Sequence, residues 1–179
     1  MIWESAYWKD DLLRRAGDLH RRRSQRRWPE ASSARLEQSI MLGFYSIRKL
    51  MEAKKLSRSV AGQSLRLLRF RLRPGKRITY LNWHKIDELY DLTAPHEESC
   101  KLTFVCNQFV HSYVFILGFS DSGGFDSVLF ASDRTRHDGL LLITADQITG
   151  IFEAIGRDYP SSGRAVWDEQ LGDYRVTND

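Results

Sequence analysis

Only two cysteines, Cys100 and Cys106, occur among the 179 residues. They lie six apart on one stretch of helical spacing, so their side chains diverge and cannot reach the Cβ separation a disulfide needs. They read as reduced, packed thiols. Together with five scattered histidines they make no zinc constellation, and neither a metal nor a cofactor is expected. No apolar run approaches the roughly 18 residues that span a bilayer. The opening MIWESAYWKDD lacks the basic-then-apolar order of a secretory leader. These absences predict a cytoplasmic protein without a membrane partner. The motifs G-x-S-x-G, H-E-x-x-H and C-x-x-C are missing, and Ser122-Gly123-Gly124 has neither the lysine nor the strand–loop–helix setting of a phosphate loop. No repeat of fixed period and no heptad pattern is present.

What the chain does contain is enough apolar material to fold. Hydrophobic content of 42% and aromatic content of 12% exclude a disordered chain, and the length suffices for one sizeable core. Residues 1–159 are expected to form a single domain, with a basic helical part over 1–56 and a sheet-containing part over 64–159. A polar, acidic and poorly ordered tail is expected over 160–179, where only Trp167 and Tyr174 offer anchors.

Hydrophobic spacing places the elements. A helix over 2–26 has Trp3, Tyr7, Leu12, Leu13, Ala16 and Leu19 on its apolar side. Pro29 ends it by biasing Trp28 out of the α region. A second helix runs from about 29 to 55 along Leu36, Ile40, Phe44, Ile47 and Leu50, with Pro29 and Glu30 suited to its first turn. Arg48 and Glu52 form an i,i+4 surface pair on it. Residues 65–73 alternate as a strand, with a slip at Leu67–Leu68 that reads as a bulge. Pro74-Gly75 then turns the chain, and 77–81 returns as the second strand of a hairpin. Asn82 caps a short helix that stops before Pro95.

The stretch 97–119 organises the rest. Leu102, Val105, Cys106 and Phe109 recur with helical spacing, and Thr103, Asn107 and His111 form a polar line on the opposite side, flanked by Phe104 and Val110. From 113 to 119 an apolar run rich in aromatic and branched residues reads as a buried strand. Strands over 125–132 and 140–144 complete a three-strand meander. A helix capped by Thr144 or Asp146 then carries Ile148, Ile151, Phe152 and Ile155 to Gly156. The fold class is therefore α+β: N-terminal helices packed on one face of an antiparallel sheet of about five strands (hairpin plus meander), with a C-terminal helix.

Charge is uneven. Residues 1–77 carry a net charge of +13 and residues 78–179 a net charge of −9. Such asymmetry points to an anionic partner for the first half, or to neutralisation between the halves or across a homo-oligomer. Arg14, Arg15, Arg21, Arg22, Arg23, Arg26 and Arg27 surround one helix end, beside His20 and Trp28. Arg69, Arg71 and Arg73 line the hairpin. Guanidinium forks match phosphate geometry, so these two groups predict contact with a nucleic-acid backbone without sequence preference, or with an acidic protein surface. The plain alternative is a solvated or internally paired face.

Asn107 and His111, one turn apart, are the candidate chemical pair. Cys106-Asn107-Gln108-Phe109-Val110-His111 is similar in part to the signature of HEPN-type ribonucleases, in which an Arg, a polar residue (often Asn), several further residues and a His lie on one helix. The resemblance covers six residues and implies an Arg and a His acting on the scissile phosphate and the ribose hydroxyl. Here Cys106 stands at the arginine position, and a strand follows His111 where that all-helical fold continues as helix. Arg15-Ala-Gly-Asp-Leu-His20 has the Arg-to-His spacing more literally, and an arginine from elsewhere, Arg48 for instance, would complete a site with His111. The structural alternative is a core His with Asn as its hydrogen-bond partner, or a helix-end cap. Asp121, Asp126, Asp133 and Asp138 fall at turns, where Asp is favoured for backbone reasons, and this reading is preferred to one in which Ser132-Asp133-Arg134 and Arg136-His137-Asp138 face a catalytic cleft.

Two functions follow. The first is a non-enzymatic binding or accessory protein, alone, as a homo-oligomer or with a partner subunit, contacting nucleic acid or an acidic partner through its Arg-rich half. The second is a small metal-independent ribonuclease using His111 or His20 with arginines. The missing catalytic constellation favours the first.

Overall fold

Two long helices begin the computed structural model, which describes residues 2–179: α1 (Ala6–Arg22) and α2 (Glu30–Glu52). Leu12, Ala16 and Leu19 form the buried side of α1, and Leu36, Ile40, Phe44, Ile47 and Leu50 that of α2. Each set recurs at three- and four-residue steps, the spacing of one helix face. α1 stops four residues short of the expected end. The chain turns through i→i−3 bonds from Arg23 to His20, Ser24 to Arg21 and Gln25 to Arg22. That turn carries Trp28 across to a hairpin tip, where its indole donates to the Gly123 carbonyl at 2.7 Å and its ring meets Phe119 at 4.8 Å.

A short helix α3 (Arg58–Ala61) leads into β1 (Ser64–Phe70). There follow α4 (Ile86–Leu89), β2 (His96–Lys101), α5 (Leu102–Val110), β3 (Ser112–Phe119), β4 (Phe125–Ser132), β5 (Leu140–Thr144) and α6 (Ala145–Gly156). The sheet has five antiparallel strands in the order β2-β1-β5-β4-β3. β5 lies at its centre and pairs with β1 on one side and β4 on the other. The fold is α+β, with the long helices on one face of this sheet.

Three expectations about detail are corrected. Residues 77–81 do not pair with β1; its partner is β2, from a stretch read as the start of a helix. Ile78 is buried but Tyr80 is 82% exposed, so the local alternation of 77–81 serves no sheet face. β2 succeeds because its acidic side chains suit the arginines of β1: Glu98 clamps Arg69, with Nη2 to Oε1 at 2.9 Å. It is also a charged edge strand, the form in which exposed edges resist further pairing. Second, Leu67–Leu68 is not a bulge, since the β1–β2 register runs without a shift from Ser64↔Lys101 to Arg69↔His96. Adjacent leucines point to opposite faces by the pleat of the strand, and both can be apolar because both faces are covered. Leu67 joins the helix-side core, and Leu68 packs with Phe70, Ile78, Leu89 and Tyr90 on the other. Third, the helix α6 is not the last element. The 160–179 stretch forms an antiparallel hairpin, β6 (Gly163–Asp168) with β7 (Asp173–Asn178), in which Trp167 and Tyr174 meet edge to face at 5.2 Å.

Capping follows the sequence closely at α6, where Thr144 and Gln147 form a reciprocal capping box. Lys9 ties distant ends together. Its buried ammonium donates to the carbonyls of Lys55 at 2.9 Å and of Asp158, and burial lowers its pKa.

α2 crosses α6 closely at Gly43, where an added Cβ would overlap the Phe152 ring. Gly43→Ala is therefore expected to destabilise the fold by about 1–3 kcal/mol through overpacking, read as a lower midpoint in urea unfolding with an unchanged slope.

Candidate functional site

α5 is set in place by aromatic stacking. Phe109 lies between Phe44 of α2, centroids 4.0 Å apart and 2° from parallel, and Phe130 of β4, at 4.3 Å and 19°. With Phe109 turned inward, the polar line of Thr103, Asn107 and His111 faces outward. The helix ends at His111, whose N–H donates to the Asn107 carbonyl at 3.1 Å. β-branched and aromatic residues then take the chain into β3.

Asn107 and His111 line an open cleft of about 520 Å³ together with Arg48, Phe104, Gln108 and the 132–135 loop. His111 is exposed, and its imidazole has no hydrogen-bond partner among the described residues. It is neither a core histidine nor bonded through its side chain to Asn107. Asn107 instead accepts from Arg48 Nη1. The Arg48 Nε donates to Glu52 Oε1 at 2.7 Å, and Lys49 Nζ to Glu52 Oε2 at 2.7 Å. The i,i+4 pair read as a surface contact is thus one side of a bracket that aims a guanidinium at the cleft. Hydrogen bonds from Lys49 and then Arg48 lower the Glu52 pKa to about 2, so the bracket stays charged across the neutral range.

The facing wall is tied to α5. Gln108, buried, accepts from the Ser132 N–H at 3.0 Å and the Thr135 hydroxyl at 2.5 Å, and the Asp133 N–H donates to the His111 carbonyl at 3.1 Å. Asp133 pairs with Arg136, whose guanidinium covers the Tyr113 ring at 3.9 Å. Arg134, exposed in the same loop, has no carboxylate partner among the described residues. Gln108 and Thr135 gave no signal in the sequence beyond the presence of a polar residue on an apolar helix face. Cys106, at the position where the HEPN-like pattern has arginine, is buried, and burial pushes its thiol up to about 12; Cys100 is pushed up to about 11 for the same reason. Burial thus disfavours the thiolate, the nucleophilic form, of both.

The arginines of 14–27 are largely paired within the chain. Asp11 holds Arg14 at 3.3 Å and Arg15 at 2.6 Å; seven residues on, Asp18 holds Arg21 at 3.3 Å and Arg22 at 3.1 Å. Arg23 pairs with Asp146. Arg15 and Arg22 also bond to Ser39 and Ser32, joining α1 to α2. Arg26 and Arg27 have no carboxylate partner among the described residues. A second cleft, about 500 Å³, lies at this end of α1 and is lined by His20, Arg21, Arg23, Arg26, Ser120 and Asp126. Arg15 faces α2, so the Arg15–His20 spacing does not assemble a site. Arg69 is committed to Glu98, and Arg73 donates to the Tyr90 carbonyl at 3.1 Å; Arg71 remains exposed. No group of three or more His, Cys, Asp or Glu able to hold a metal ion is found among the described residues, and no helix there is long and apolar enough to cross a membrane.

Replacing Gln108 by Leu leaves the Ser132 N–H and the Thr135 hydroxyl without their acceptor. A loss of about 1–3 kcal/mol is expected, accompanied by faster amide hydrogen exchange at Ser132 while the β1–β2 amides keep their protection. Comparison of the chain with family models, with curated proteins and with solved structures finds no match, so its functional reading rests on the cleft itself.

Proposed function

We propose that the α5 cleft is a phosphodiester site and that the protein cleaves RNA, with His111 moving the proton. The observation that carries this reading is the convergence of Arg48 from α2, Asn107 and His111 from α5, and Arg134 from the loop after β4 on one open cleft. Arg48 is held by Glu52 and Asn107 before any substrate arrives, so charge developing on a phosphate would meet a donor already in position. Guanidinium forks suit non-bridging phosphate oxygens. An exposed imidazole with no hydrogen-bond partner among the described residues leaves both ring nitrogens open to a substrate, within the reach a general acid–base group needs.

RNA is the phosphodiester best suited to one imidazole and two guanidiniums, because its nucleophile is internal. His111 takes the proton of the 2′-hydroxyl, the 2′-oxygen bonds to phosphorus, and the bond from phosphorus to the 5′-oxygen breaks. The departing 5′-oxygen takes a proton from a water molecule, the imidazolium of His111 returns its proton to solvent hydroxide, and a 2′,3′-cyclic phosphate and a 5′-hydroxyl are left. Arg48 and Arg134 offset the charge on the phosphorane oxygens, and Asn107 keeps Arg48 in place. Two reduced, buried cysteines suit a cytoplasmic setting.

The test is cleavage of a labelled RNA oligonucleotide in EDTA at low salt. The wild-type protein is expected to cut it and to leave DNA of the same sequence intact. His111→Ala should lower kcat by about 10²–10⁴-fold, the usual yield of one general acid–base group, while still binding the oligonucleotide. Wild-type cleavage by His111→Ala would sink the proposal.

A second reading is supported by the other cleft and by Arg26 and Arg27, which have no carboxylate partner among the described residues: a non-enzymatic or accessory protein that grips a nucleic-acid backbone or an acidic partner at the end of α1. On that reading, Arg26→Ala/Arg27→Ala should reduce the slope of log K against log salt for nucleic-acid binding by up to about two, and His111→Ala should leave binding unchanged. An unchanged slope in the double variant counts against it.

A further inference from the structure

The polar line of α5 continues past the proposed phosphodiester site. A neighbouring cleft of about 350 Å³ is lined by Glu98, Ser99, Lys101 and Thr103, and it shares Phe104 and Asn107 with the His111 cleft. Thr103, Asn107 and His111 stand at four-residue steps, so they mark out about 12 Å of helix, the scale of one nucleoside with its phosphate. Phe104 forms the common wall. Its inner side packs on the helix-side core, its ring makes no pair with another aromatic among the described residues, and it is only half-buried.

We infer that the two clefts form one nucleotide-binding trough, with the phosphate at the Arg48–His111 end and the nucleobase laid against Phe104 at the Thr103–Lys101 end. This inference rests on the reading of the His111 cleft as a phosphodiester site. The two ends differ in chemistry in the way the two parts of a nucleotide do. The His111 end offers guanidiniums and an imidazole for an anion. The other end offers an open aromatic face, with the hydroxyl of Thr103, the ammonium of Lys101 and the carboxylate of Glu98 around it for the edge of a base. A base stacks on an aromatic face whatever its identity, and the polar rim supplies discrimination through donors and acceptors. Glu98 is the side chain least free to move, since Arg69 holds its carboxylate, so it presents a fixed acceptor to an exocyclic amine.

The test is calorimetric titration of the protein with inorganic phosphate, with an abasic ribose phosphate, and with the four nucleoside 3′-monophosphates. At least one nucleotide is expected to bind on the order of tenfold more tightly than the abasic compound, the effect of one base–aromatic stack. Phe104→Leu, which keeps the packing on the core side, should remove that advantage without changing the affinity for abasic ribose phosphate. Phe104→Trp should keep it. Lys101→Ala and Thr103→Ala, both at exposed positions, should alter the order of preference among the four bases. Nucleotides that bind no more tightly than the abasic compound, or an advantage that survives in Phe104→Leu, would overturn the base subsite and leave the phosphate site standing. Failure of phosphate, abasic compound and nucleotides alike to bind would overturn both.

Discussion

The stack Phe44–Phe109–Phe130 is the contact on which the rest of the arrangement depends. α5 has nine residues, too few to be stable by its own hydrogen bonds, and no side chain caps its N-terminus. Its position therefore comes from packing. One phenylalanine, clamped between a ring from α2 and a ring from β4, fixes the rotation of the helix about its axis. That rotation decides where Asn107 and His111 point. Because Phe44 lies one turn before Arg48 on α2, the same clamp brings the Arg48 guanidinium to Asn107. The apolar contact and the polar cleft are two sides of one piece of geometry.

The charge imbalance along the chain has a more local resolution than its size suggests. Four of the seven arginines in 14–27 contact a carboxylate one helical turn away through Asp-Leu-x-Arg-Arg, present twice at a spacing of seven residues, each Asp shared between two guanidiniums. Pairs of this kind on a helix surface contribute little to stability, but they lower the positive potential that a composition count assigns to the segment. Two further pairs, Arg23–Asp146 and Arg69–Glu98, join the basic half to the acidic half. Among the described residues, Arg26 and Arg27 at the end of α1, Arg71 after β1 and Arg134 beside the cleft are among the arginines left without a carboxylate partner. Arg48, bracketed though it is, still lines the cleft.

The long helices and the β3–β4–β5 meander were legible in the sequence because each carries its own period over eight or more residues or is bounded by a clear turn. The partner of β1 was not. His96–Lys101 has no apolar alternation, and its fitness for the sheet edge comes from charges on a neighbouring strand that sequence spacing does not connect to it. The segment 77–81 has the alternation without the partner. The same division holds at the site. Asn107 and His111 could be paired from helical spacing alone, and Arg48 was a candidate to join them only in the sense that nothing local opposed it. Its meeting with Asn107, 59 positions away, depends on how two helices cross. Gln108 was hidden by its own neighbours, since one polar residue among Cys106, Phe109 and Val110 gives no hint that its amide oxygen orders a loop after β4.

The central place of β5 has a consequence for how the molecule comes into being. It is the last of the five sheet strands along the chain, yet it is the one that joins the other two pairs. During synthesis β1–β2 and β3–β4 emerge as separate ribbons, each with an inner edge of unpaired amides and carbonyls facing a gap. Only when residues 140–144 leave the ribosome can one strand fill that gap and bring Leu68 opposite Leu142. Such late, non-local pairing is slow and leaves strand edges open to other chains while it waits. Nascent protein is therefore most vulnerable to misassociation after β4 has emerged and before β5 appears, and the order of translation sets the moment at which the sheet beneath the cleft is complete.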